Sequence, residues 1–94
     1  MASPYKNPQS LKAHGLTRQE YLDMYAAQGG RCAICQDSFE LRPDHIDHDH
    51  LTNSIRELLC SNCNTGLGMF KDSIRRLACA IVYLEKHGKD FNND

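Results

Sequence analysis

Three histidines and three aspartates surround a single isoleucine in the stretch DHIDHDH, residues 44–50. Carboxylates and imidazoles bind metal ions and transfer protons. The stretch is poorly suited to a protein core, because its carboxylates repel one another and only one of its side chains is apolar. The sequence therefore predicts a metal site or a catalytic site here, with an ordinary solvated acidic loop as the alternative.

Four of the five cysteines form two pairs, CAIC and CSNC, with 24 residues between the pairs. Two residues between thiolates allow a tight turn to direct both sulfurs at one tetrahedral ion. A single C-x-x-C can be a redox pair, but two at this spacing favour a structural zinc bound by Cys32, Cys35, Cys60 and Cys63. Such a zinc has no open coordination position, so any catalysis must use the histidine-rich stretch between the pairs. The fifth cysteine, Cys79, lies in an apolar helical pattern and is expected to be buried.

The chain is short and nearly neutral, with 94 residues and a net charge of -1. One small core of limited stability is expected, which a zinc ion would supplement. The charge argues against a polycation that coats nucleic acid, so any such contact should be local and partly mediated by metal. The longest apolar run is far shorter than the roughly 20 residues that cross a bilayer, so no membrane association is expected. An odd cysteine count and a first segment without a signal-like apolar stretch predict a cytoplasmic location.

Local sequence signals predict the elements before and after the first cysteine pair. Thr17 and Glu20 form a capping box that predicts a helix from Arg18, and Gly29 and Gly30 should end it. The stretch SFELRPDHID predicts interrupted extended chain, LTNS a turn, and IRELLC a second strand that leads into the second cysteine pair.

A short helix is then predicted from Cys63, followed by a longer one capped by Asp72 or Ser73. Apolar side chains recur along the longer helix at helical spacing and are expected to pack against the core: Ile74, Leu77, Ala78, Ile81 and Leu84. Residues 16–88 should form a single domain, with a flexible N-terminal segment at 1–15 and a frayed tail at 89–94.

Taken together, CAIC, DHIDHDH, IRELLCSNCNTGLG and LACAIVYLEK resemble the phage recombination endonuclease VII family, within the HNH or His-Me finger (ββα-metal) nucleases. The resemblance runs from about Leu16 to Leu84. It implies a small α+β fold with a zinc-stapled ββα-metal core and flanking N- and C-terminal helices. The sequence departs from the family pattern at Glu57, which replaces a glycine, and at LTNS, which replaces a threonine-glycine turn.

Phosphodiester hydrolysis needs an activated water and a charge that stabilises the phosphate as negative charge develops. Asp47 and Asn64 are hard oxygen ligands suited to Mg²⁺ or Mn²⁺, and two protein ligands leave room for water and phosphate. His48 is predicted to be the general base, because the ordinary histidine pKa of about 6.5 leaves a neutral imidazole at pH 7. Adjacent side chains of a strand point to opposite faces, so the first strand should end or bulge at Asp47 and His48.

His50 is expected in the same site as a metal or phosphate contact, and the family resemblance also implies a catalytic role for it. His45 and Asp49 are assigned either to hydrogen bonding behind the site or to solvent, and Asp44 to a surface charge. Phosphate contacts are expected from four basic residues in or after the second strand: Arg56, Lys71, Arg75 and Arg76.

The sequence thus predicts a metal-dependent DNA endonuclease that mainly nicks duplex DNA. A monomer or weak homodimer is expected, because packing against the core would leave the last helix little apolar surface for a large interface. One alternative is a dimeric resolvase of branched DNA, in which Val82 and Tyr83 lie in a helix contact. A second alternative, from another class, is a zinc-containing nucleic-acid or protein adaptor without catalysis.

Overall fold

The computed structural model describes residues 8–88, which form a small α+β fold. Residues 1–7 of the predicted flexible segment and the predicted tail at 89–94 lie outside the described residues. The described elements are four helices and two strands: α1 (Pro8–Ala13), α2 (Arg18–Ala27), β1 (Asp44–His48), β2 (Ile55–Cys60), α3 (Ser61–Met69) and α4 (Ile74–Lys86).

Helix α1 lies inside the segment that the sequence analysis predicted to be flexible. Its Leu11 side chain is buried, and the Leu11 carbonyl accepts hydrogen bonds from His14 N at 3.1 Å and Leu16 N at 2.9 Å. A six-residue helix is too short to show a periodic pattern, so a single buried leucine left no detectable signal in the sequence.

Helix α2 begins and ends where the sequence predicted. Glu20 N donates to Thr17 Oγ1 at 3.1 Å, and Thr17 N donates to Glu20 Oε1 at 2.9 Å, which confirms the capping box. At the other end, Gly29 and Gly30 both adopt positive φ and turn the chain toward the first cysteine pair.

Gln28, at the end of α2, connects this helix to β2. Its Oε1 accepts from Leu58 N at 2.9 Å, and its Nε2 donates to Leu58 O at 2.9 Å and to Arg31 O at 2.8 Å. Leu58 is fully buried, so the two bonds to Leu58 satisfy backbone groups that water cannot reach. The side chain of Gln28 therefore holds β2 beside the first cysteine pair.

The two strands pair antiparallel, with a β-bulge at the predicted position. Ile46 lies opposite Leu58, but His48 lies opposite Ile55, so Asp47 faces two residues of β2, Arg56 and Glu57. Strand β1 ends at His48. The expectation that the chain departs from regular strand geometry at Asp47 and His48 is therefore confirmed.

The chain before β1 is less extended than predicted. Ser38 forms an isolated bridge with Arg31, and Leu41 N donates to Ser38 O at 3.0 Å to close a turn. Strand β1 begins only after Pro43. The buried Phe39 stabilises this turn, which local strand propensity did not reveal.

The chain divides into two compact units at Asn64. The first contains the sheet, the cysteine pairs and the buried residues of the described chain: Leu11, Tyr21, Cys32, Phe39, Ile46, Asp47, Leu58, Leu59 and Cys60. The limits predicted for a single domain, residues 16–88, remain a prediction. Within the described part of the chain, no helix is both long enough and apolar enough to span a bilayer.

The second unit contains α4, which begins as predicted at the N-cap Ser73, whose Oγ accepts from Arg76 N at 3.1 Å. The predicted burial of its apolar face is wrong: Leu77 is half-buried, and the other predicted core residues Ile74, Ala78, Ile81 and Leu84 are exposed. Cys79 is also exposed rather than buried. Helical spacing identifies an apolar face but not what covers it.

Candidate functional site

The four paired cysteines converge on one point. Their sulfurs all lie within 4.8 Å of one another. The Sγ atoms of Cys35 and Cys60 are 3.8 Å apart, too far for the roughly 2.05 Å of a disulfide. Tetrahedral Zn–S bonds of about 2.3 Å place sulfurs about 3.8 Å apart, so the spacing fits zinc. Cys32, Cys35, Cys60 and Cys63 could therefore hold a zinc ion.

Burial and hydrogen bonding shift the pKa values of these thiols in different directions. Burial disfavours the thiolate of Cys32, but hydrogen bonds from the backbone of Cys60, Cys35 and Ile34 outweigh it and lower the pKa of Cys32 to about 6. Burial and the neighbouring thiols raise the pKa of Cys63 instead. A divalent cation at the centre of the cluster would stabilise the thiolate form of all four cysteines.

Asp47 is the one buried carboxylate within residues 11–88. Both of its oxygens accept hydrogen bonds from Arg56: Nε donates to Oδ2 at 2.6 Å and Nη2 to Oδ1 at 3.1 Å. The bulge brings Arg56 to this position, since it places two β2 residues opposite Asp47. A residue predicted to contact DNA is therefore bound to the predicted metal ligand in this structure.

Two of the predicted histidines lie side by side at the end of β1. The ring centroids of His48 and His50 are 4.9 Å apart, in an edge-to-face arrangement. A third ring, from His14 after α1, lies 6.1 Å from that of His48. The position of His14 beside His48 could not be predicted, because His14 is 34 positions before His48 and belongs to no motif.

The remaining acidic residues of the stretch have structural partners. Asp49 Oδ1 accepts from Leu51 N at 2.8 Å and from Thr52 N at 3.2 Å, which orders the predicted LTNS turn. These two bonds lower the pKa of the Asp49 carboxyl. Asp44, predicted to be a surface charge, instead accepts a 2.7 Å hydrogen bond from the buried Tyr21 hydroxyl. His45 is exposed.

The other predicted site residues lie beyond the sheet. Asn64 is half-buried in the first turn of α3, four residues after Cys60. Lys71, Arg75 and Arg76 are exposed in the second unit. The replaced family glycine, Glu57, is exposed in the bulge and does not adopt a positive φ, so the backbone there does not require glycine.

Comparison with known proteins places the chain in a family. The model of the recombination endonuclease VII family matches residues 8–86. The Gene 59 protein of Mycobacterium phage D29 is 46% identical over 78 residues, which are 81% of this chain and 47% of that protein. The Gene 59 protein of Mycobacterium phage L5 is 43% identical over 76 residues, or 79% of this chain and 46% of that protein.

The chain spans about half the length of these curated relatives. The family match covers both cysteine pairs, the DHIDHDH stretch and all of α4, so it includes every residue assigned to the candidate site. The chain therefore belongs to the recombination endonuclease VII family.

Proposed function

We propose that this chain is a metal-dependent DNA endonuclease of the HNH or His-Me finger (ββα-metal) type. The observation that carries the proposal is the end of β1, where a buried carboxylate, Asp47, immediately precedes the adjacent imidazoles of His48 and His50. Membership of the endonuclease VII family supports DNA as the substrate.

Each residue has a proposed role in hydrolysis. Asp47 and Asn64 supply the oxygen ligands that Mg²⁺ or Mn²⁺ prefers. Such a cation, when bound, would neutralise negative charge on the phosphate. His48, which is half-buried, accepts the proton of the attacking water. His50, exposed beside it, contacts the metal or a phosphate oxygen.

The zinc proposed at the four cysteines has a structural role. Cys60 is both the last residue of β2 and a member of the cysteine cluster, and Ala33 N in the first pair donates to Leu58 O of β2 at 3.2 Å. Because the cysteines lie at both ends of the strand-turn-strand segment, a zinc there would fix the position of β1 and its catalytic end.

Lys71, Arg75 and Arg76 are proposed to contact DNA phosphates, since they are exposed and basic. We place the protein in the cytoplasm of the host cell, as for a phage-encoded protein, because its relatives are phage proteins. His45 and Asp49 stay outside the catalytic set in this proposal, with Asp49 ordering the turn after β1.

Plasmid cleavage tests the proposed activity. Purified zinc-loaded protein incubated with supercoiled plasmid should yield nicked circles in millimolar Mg²⁺ or Mn²⁺. It should yield none in EDTA, with an incubation too short for EDTA to remove the zinc. Zinc content is measured after each incubation, so loss of structure is separated from loss of the catalytic cation. If the protein slows the migration of the plasmid on a gel but leaves it uncut under all metal conditions, the result would instead support the adaptor function.

A second candidate function, resolution of branched DNA by a dimer, is favoured by the exposure of α4. The monomer prediction assumed that this helix was covered, but large apolar side chains are exposed along it: Ile74, Ile81, Val82, Tyr83 and Leu84. A second copy of the chain would bury part of this apolar surface in a two-fold contact and present two active sites to opposing strands.

Light scattering and a four-way junction assay separate the two candidates. A resolvase should be dimeric at micromolar concentration and should make paired, symmetric cuts, and Val82→Glu should reduce both the dimer and the paired cutting. A monomer that nicks linear duplex and junction at equal rates would support the nicking function instead.

A further inference from the structure

The contact between Arg56 and Asp47 has a consequence for how a metal ion reaches the site. The carboxylate of Asp47 is 9% exposed, and the side chain of Arg56 is 35% exposed. The charge of this buried carboxylate is therefore compensated by an arginine side chain that is itself partly exposed to solvent. A buried anion needs such a partner, and a fork-like guanidinium satisfies both of its oxygens.

The positive charge of Arg56 opposes simultaneous binding of a metal ion at Asp47. Arg56 occupies one lone-pair direction on each oxygen of Asp47, at 2.6 Å and 3.1 Å. A divalent ion coordinated by either oxygen would lie a few ångströms from the guanidinium, and the two cations would repel strongly at the low dielectric of a buried site.

The position of Arg56 on β2 explains how it can leave. Arg56 lies in the bulge, where Asp47 faces two residues and the strand pairing is locally interrupted. Rotation of its side chain toward solvent requires no break in the regular pairing between Ile46 and Leu58. Because the long side chain of Arg56 is already partly exposed, it can leave the carboxylate of Asp47 and bind a phosphate instead.

We propose that Arg56 is a resident counter-ion for Asp47 that competes with the catalytic divalent cation and is transferred to a DNA phosphate when the cation binds. DNA and metal then bind cooperatively, since DNA offers the displaced guanidinium a new anionic partner. Without DNA, the bound guanidinium keeps metal affinity low. This inference rests on the proposed function, because it takes Asp47 as a ligand of the cation.

A titration of the full chain with Mn²⁺ in the absence of DNA tests the competition between Arg56 and the cation. The concentration of free Mn²⁺ is measured from its EPR signal. Arg56→Gln should bind Mn²⁺ at least about tenfold more tightly than wild type, a change of about 1.4 kcal/mol. Arg42 is paired with Asp37, so Arg42→Gln removes an equal charge at another ion pair. This variant should leave the Mn²⁺ affinity unchanged. The Mn²⁺-induced rise in Tm should also be larger for Arg56→Gln than for wild type, because the ion replaces the lost counter-ion.

Arg56→Lys keeps the experiment decisive if Arg56→Gln does not fold. A lysine retains the charge but loses the two-point contact, so it should bind Mn²⁺ more tightly than wild type by several-fold. DNA should also raise the Mn²⁺ affinity of wild type more than that of the Arg56→Lys variant. Equal Mn²⁺ affinities for wild type and Arg56→Lys would overturn the inference.

Asp47→Asn distinguishes failure of this inference from failure of the proposed function. If Mn²⁺ binding is lost in Asp47→Asn but is unaffected by changes at Arg56, the metal site stands and the competition is refuted. If Mn²⁺ binding is insensitive to Asp47→Asn, the proposed metal site itself is wrong and the inference falls with it.

Discussion

Cys60→Ser is expected to abolish the cooperative thermal unfolding transition of the first unit and the stoichiometric zinc content. Cys60 is 1% exposed and ends β2, and its sulfur lies 3.8 Å from that of Cys35. Because metal affinity in a four-thiolate site is coupled to folding, losing one buried ligand removes much of the free energy that holds a small core together. Circular dichroism melting and metal analysis by mass spectrometry measure both effects.

Cys79→Ser is the matched control, since Cys79 is exposed and lies outside the four-cysteine cluster. It should keep one zinc per chain and the wild-type Tm. A strong chelator should reproduce the Cys60→Ser result in wild type. A purified wild-type protein that contains no zinc, or that retains its melting transition after stripping, would contradict the structural role of the cluster.

Signals that depend on a few neighbouring residues predicted their structures well. The capping box of Thr17 and Glu20 and the N-cap Ser73 form as expected, because each requires only short-range geometry. The two cysteine pairs also lie together as predicted, because their spacing is typical of metal ligands. The break in β1 was also predictable, since Asp47 and His48 cannot face one site on a regular strand.

Features that depend on distant partners were not predictable. Tyr21 and Asp44 are 23 positions apart, and no local pattern pairs a helix tyrosine with a strand aspartate. The position of His14 depends on a six-residue helix anchored by one leucine. The exposure of α4 was missed because periodicity describes a helix face and carries no information about its partner.

Within the site itself, the contact between Arg56 and Asp47 could not be predicted from residue types alone. The sequence predicted that Asp47 binds metal and that Arg56 contacts phosphate, and each residue type suits its predicted role. The register shift between Ile46 and His48 places Arg56 opposite Asp47, so one backbone irregularity lies at both the proposed catalytic end of β1 and the counter-ion of its carboxylate.

His48→Ala is expected to lower the rate of plasmid nicking by about 100-fold or more, which is the usual loss when a general base is removed. The fold should persist, because His48 is half-buried at the last position of β1 and lies outside the four-cysteine cluster. Zinc content and Tm should therefore match wild type. Single-turnover rates at saturating Mg²⁺ measure the effect on the chemical step.

Two comparisons make the assignment of His48 specific. His87→Ala changes a histidine at the end of α4, outside the proposed site, and should nick DNA at the wild-type rate. Free imidazole should restore part of the activity of His48→Ala, because a small base can enter the space that the lost ring leaves. The ring of His50 lies 4.9 Å away and could serve as the base instead. Near wild-type nicking by His48→Ala, with a 100-fold loss in His50→Ala, would transfer the role to His50.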